Sequence, residues 1–97
     1  MARPPEPEAP QDRTGPDPQA PDRARTLVRQ ARFADAERTA RAALEAGAEG
    51  RLRRDLLYVL AVARRFAGRG EAALEALDDL LAHAPAYGRG WQERGHL

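Results

Sequence analysis

The chain has 97 residues, with 16 Arg and no Lys, 15 acidic side chains, two His and no Cys, for a formal net charge of +1. That length bounds it to one small domain, and the missing cysteines exclude a disulfide framework or a thiolate metal site. No apolar run nears the roughly 20 residues of a membrane span, and the N-terminus lacks the basic-then-apolar order of a signal peptide, so a cytoplasmic protein is expected. Lys, Ile, Asn and Ser are absent and Ala abundant, a bias expected of a GC-rich genome rather than of a function.

Residues 1–21 hold seven of the eight prolines and no Leu, Ile, Val or aromatic residue. With nothing to bury against the entropy of ordering, they read as a disordered acidic tail. From Asp22 onward Ala, Leu, Arg and Glu dominate and apolar positions recur three and four apart, a helical pattern.

Five helices are expected. The first runs from about Asp22 to Ala31, opened by Pro21 with Asp22 as its cap, and carries Leu27, Val28 and Ala31 on its apolar side. The second, about Ala34 to Ala46, has Asp35 and Glu37 in its first turn, where the helix dipole favours acids. It ends at Gly47, and Ala36, Ala40, Ala43 and Leu44 form a small-residue face. The third, about Leu52 to Ala67, contains LLYVLAVA, eight consecutive apolar residues. A buried strand would show the same run, but its alanines and the continuous span favour a helix covered on more than one side. Gly68 and Gly70 separate it from a fourth helix, about Glu71 to Ala84, which sets Ala73, Leu74, Leu77, Leu80 and Leu81 against Glu75, Asp78 and Asp79 and stops at Pro85. The last begins near Gly88 and carries Trp91.

Residues 54–87 span 34 positions, and Leu57, Leu60, Ala61, Gly68, Ala73, Leu77 and Pro85 stand at the large, small and turn positions of a tetratricopeptide repeat, which this stretch resembles. Trp91 and Gly95 fall on the next unit's Trp and Gly positions, and Phe33 and Ala36 on an earlier unit's aromatic and Ala positions. Ala36 and Ala73 are 37 apart, three more than the usual period. Arg64, Leu80 and Arg94 depart from the aromatic, small and Leu residues of the pattern. The resemblance implies an all-α antiparallel helix-turn-helix array over 22–97, divided into a partial repeat (22–50), a full repeat (54–87) and a truncated one (88–97). A generic Ala/Leu helical bundle is the plainer reading. The closing YGRGWQERGHL also resembles the repeat segment preceding the catalytic domain of some bacterial sulfotransferases of this kind. On that reading the chain is the N-terminal scaffold of such an enzyme, without the transferase domain.

No catalytic constellation is visible. There is no Ser or Cys nucleophile, and Thr14, Thr26 and Thr39 have no His nearby. His83 and His96 lie thirteen apart across a proline, which reads as two surface imidazoles rather than a metal site. Neither GRG triplet follows a strand, as a phosphate-cradling loop would. No enzyme activity, cofactor or metal is expected.

In the resembled family the first helix of each unit lines a concave groove, which implies partner contacts from Asp55, Tyr58, Val62, Arg65 and Phe66, extended by Arg89 and Gln92. Tyr58 and Phe66 offer aromatic area, and Arg65 and Arg89 offer bidentate recognition of carboxylates. Phe66 reads equally well as a packing residue. The chaperone-binding members hold a terminal carboxylate with Lys, Asn and Arg, and without Lys or Asn the expected partner is another peptide or protein. Self-association is expected if a further helix must cover Trp91 and Gly95, since about three repeats make a stable stack; the alternative is that the last helix merely caps the fourth.

Charge is unevenly partitioned. Residues 1–22 carry two Arg and five acids (−3), 23–70 twelve and five (+7), and 71–97 two and five (−3). The basic block, with Arg51, Arg53 and Arg54 together in one loop, raises an alternative anion or nucleic-acid site, disfavoured by the few aromatic residues. The opposite charges also predict that the acidic tail folds back on the basic surface and competes with the partner.

Overall fold

High helix propensity with apolar residues at helical spacing leaves the chain little choice of secondary structure. The computed structural model describes residues 15–97, and all regular structure among them is α-helical: α1 (Ala20–Arg29), α2 (Phe33–Glu45), α3 (Gly50–Phe66), α4 (Gly70–His83) and α5 (Gly88–Arg94). Every expected helix is present. Of the stretch 1–21 read as a tail, residues 1–14 lie outside the described residues.

The start of α1 corrects the sequence reading. It begins at Ala20 rather than Asp22, and Ala20 and Pro21 are buried within it. Proline tolerates the first turn of a helix, where its missing N–H has no partner to lose. Asp22 therefore sits inside the first turn and does not cap it. The carboxylate that organises this entry belongs to Asp17, which accepts from the Gln19 N–H at 2.8 Å and pairs with Arg23. Those two contacts, the backbone donor first, hold its carboxyl below the ordinary range.

Three helices end in the same way. A left-handed residue (Ala31, Gly47 or Gly68, with φ of 60°, 100° and 80°) reverses the chain, and the following N–H returns to a carbonyl five residues back. The pairs are Arg32 to Leu27 at 2.8 Å, Ala48 to Ala43 at 3.3 Å and Arg69 to Arg64 at 2.9 Å. This Schellman closure satisfies carbonyls that the helix leaves unpaired. Short turns then make successive helices antiparallel. His83 at the end of α4 meets the Gly50 carbonyl at the start of α3 at 2.9 Å, and Phe33 at the start of α2 stacks on Phe66 at the end of α3, 6.0 Å between centroids.

Helices α1, α3 and α5 form one layer and α2 and α4 the other, with α3 packed against all four. That position explains LLYVLAVA as a helix: Leu56, Leu57, Val59, Leu60, Ala61 and Ala63 are buried against neighbours on several sides. Small residues let the backbones approach, since Ala24, Ala40, Ala61 and Ala73 are fully covered, and Leu56, Leu77 and Leu80 fill the space between. Each such Leu contributes about 1.5–3 kcal/mol of burial.

The three departures from the repeat pattern each have a local partner. Arg64 donates from Nε to Glu37 at 3.1 Å and from a terminal nitrogen to the Ala72 carbonyl at 3.0 Å. Leu80 lies under Gly90, where a Cβ would meet its Cδ2 at 3.0 Å and that of Leu81 at 2.9 Å. Arg94 reaches Asp78 at 2.8 Å.

Candidate functional site

A cleft of about 470 Å³ opens on the layer made by the alternate helices. Its floor is α3, through Tyr58, Val59 and Val62; α1 supplies Arg25, Val28 and Arg29 on one side and α5 supplies Arg89 and Gln92 on the other. Tyr58 and Val62 are four apart and so share one helix face.

Three guanidinium groups border this apolar floor, and no carboxylate lines it. Arg25 pairs with the exposed Asp22 at 2.6 Å and Arg29 donates to the Thr26 hydroxyl at 3.0 Å. Among the described residues neither Arg29 nor Arg89 pairs with an acid. The Tyr58 ring is fixed edge-on against Tyr87, 5.9 Å between centroids, and Arg54 stands over the Tyr87 ring at 4.5 Å. Burial, and then the Glu93 carboxylate, push the Tyr58 phenol above its ordinary value against the opposing pull of Arg89. It enters the cleft as a neutral hydrogen-bonding group.

Of the seven residues expected in a groove, Tyr58, Val62, Arg89 and Gln92 meet here, and the other three face elsewhere. Asp55 is held by Arg54 at 2.9 Å. Arg65 is already engaged with the buried Glu93 through both carboxylate oxygens, so its guanidinium does not stand open for a ligand carboxylate. Phe66 stacks on Phe33 under the Arg65 guanidinium and remains 54% exposed, so it serves partly in packing. Arg25, Val28, Arg29 and Val59 escaped the sequence reading. A signal was available: α1 precedes α3 at the same 37-residue offset that relates Ala36 to Ala73, which places Arg25, Val28 and Arg29 on the positions of Val62, Arg65 and Phe66.

Arg51, Arg53 and Arg54 do not share a loop, because α3 starts at Gly50 and takes them into its first turn. At about 100° per residue Arg51 and Arg54 fall on one side of the helix and Arg53 on another. Arg53 joins a second cleft beside Glu45, Glu75 and Asp79, where acids offset it. Among the described residues no group of three His or acidic side chains stands close enough to hold a metal ion, and no helix is long and apolar enough to cross a membrane. Comparison of the chain with protein-family models, with the curated proteins and with the solved structures finds no match.

Proposed function

We propose that this chain is a non-catalytic protein-interaction module of the tetratricopeptide kind, holding an acidic peptide segment of a partner in the cleft between α1, α3 and α5. The observation that carries this reading is the cleft itself: an apolar floor of Val28, Val59, Val62 and Tyr58 edged by Arg25, Arg29 and Arg89 with no acid in the lining. Arg is suited to carboxylates because its planar fork donates two parallel hydrogen bonds. The floor supplies the apolar contact that exposed ion pairs alone do not.

The test is fluorescence anisotropy with a set of labelled acidic peptides, each containing an apolar residue between carboxylates. Binding should weaken at least tenfold in R29E/R89E, whose side chains are exposed and uninvolved in the core, and should weaken with salt. Affinity unchanged by the double reversal would overturn the cleft as the site.

A second contact is favoured by one observation. Trp91 remains 54% and Leu97 43% exposed at the α5 edge, with the indole N–H anchored to the Pro85 carbonyl at 2.8 Å. A second copy covering that edge accounts for aromatic surface there.

A further inference from the structure

The cleft's charge has a counterpart within the same chain. Residues 6–12, Glu-Pro-Glu-Ala-Pro-Gln-Asp, hold three carboxylates, two prolines and no basic residue. We infer that this N-terminal segment is itself a ligand of the α1/α3/α5 cleft and competes with the partner peptide, an inference that rests on the reading of the cleft as an acidic-peptide site.

Reach permits it. Glu6 to Asp12 precede Asp17 by five to eleven residues, which extended chain converts to roughly 16–36 Å. Helix α1, of ten residues, is only about 15 Å long. The turn at Asp17, held by Gln19 and Arg23, fixes the point from which the segment departs, so Arg25 and Arg29 lie within its radius. Chemistry favours it as well. The three carboxylates match three guanidinium groups, two of which have no acidic partner among the described residues, and the proline rings offer apolar surface to Val28, Val59 and Val62. A proline-rich stretch also loses less conformational freedom on docking than a flexible one.

A tether this short gives an effective concentration on the order of 1 mM. A segment that binds in trans with a Kd of about 0.3 mM then occupies the site most of the time, and removing it raises the apparent affinity for a competitor about fourfold. The competition depends on salt, because the contacts are between exposed charges.

The experiment uses the full chain and its triple variant E6Q/E8Q/D12N, with circular dichroism establishing equal helicity. The probe is a labelled synthetic peptide of residues 4–12, and the valine methyl groups provide a second readout: the chain has three valines, 28, 59 and 62, and all three line the cleft. The probe should bind the variant about fourfold more tightly than the parent in low salt. R29E should remove binding to both, and the valine methyl resonances should differ between parent and variant. Equal affinities together with coincident methyl spectra would overturn the inference. If the probe binds neither chain while another acidic peptide binds both, the segment is the wrong occupant and the cleft stands as a partner site. If no acidic peptide moves the valine signals, both readings fall.

Discussion

At the scale of single residues, two buried carboxylates tie the helices together. Glu37 of α2 accepts from Arg64 of α3 at 3.1 Å and from Arg69 of the following turn at 2.6 Å, while Glu93 joins α5 to Arg65 of α3. The Arg64 and Glu37 side chains are only 14% and 12% exposed, whereas Arg69 is 54% exposed. Removing the acid strands a covered cation. Glu37→Ala should therefore cost about 2–3 kcal/mol, somewhat below the loss for a fully buried pair, and Arg69→Ala less than about 1 kcal/mol; urea denaturation of the two variants measures both. Tyr58 carries a pH prediction. Its folded-state pKa is raised, so the folded chain holds the phenolic proton longer than the unfolded one. The associated stability is complete below the unfolded value near 10 and is lost as pH rises through the folded one. The chain has no Lys to titrate in that window. Thermal melts from pH 9 to 11.5 should show a decline that Tyr58→Phe reduces.

At the scale of elements, the two interhelical turns after α1 and α3 offer a matched comparison. Both close with the same hydrogen bonds, yet one places Ala31 at φ 60° and the other Gly68 at φ 80°. A Cβ in that conformation costs about 1–2 kcal/mol, and glycine gives back about 0.4–1 kcal/mol through the unfolded chain. Ala31→Gly should thus stabilise by up to about 1 kcal/mol and Gly68→Ala destabilise by a similar amount, with opposite shifts in melting temperature. A Cβ at Gly68 meets nothing within 4 Å, so the penalty there is one of backbone conformation alone. The helix count and type were legible in the sequence because period and propensity agree along each segment, and the interior boundaries fell within two residues. The start of α1 lies two residues before the expected one because Asp22 has the chemistry of a cap but stands inside the first turn, with Ala20 and Pro21 already helical ahead of it. The resemblance implies a groove through Tyr58, Val62, Arg89 and Gln92, and these four line one cleft; Arg65 is held by Glu93, 28 positions later, a pairing that no local pattern shows.

At the scale of the whole molecule, the layered arrangement decides where charge matters. The +7 of residues 23–70 is not a single basic surface: Arg64 and Arg65 are turned to buried acids, Arg54 to Asp55, and Arg53 to a mixed cleft. Of that block Arg25 and Arg29 line the α1/α3/α5 cleft, where Arg89, from outside the block, joins them. At the other end, α4 and α5 leave Trp91 and Leu97 exposed beside an acidic stretch. If a second copy covers that edge, light scattering across a dilution series should show mass falling toward 10.7 kDa, and Trp91→Ala should give the monomer at all concentrations. Constant monomer mass for the parent would remove self-association.

Helix content, the order of five helices and the central, multiply covered place of α3 follow from local propensity and from the spacing of Leu and Ala, which act between near neighbours. The cleft does not. Arg25 and Arg89 are 64 positions apart, and which guanidinium groups meet an acid and which face solvent depends on long side chains searching space after the backbones have packed. Only the tertiary structure brings α1 and α5 to the two sides of α3, because the covered small side chains of Ala24 and Ala61 let helix backbones approach closely and Gly90 seats α5 directly on Leu80 and Leu81 of α4.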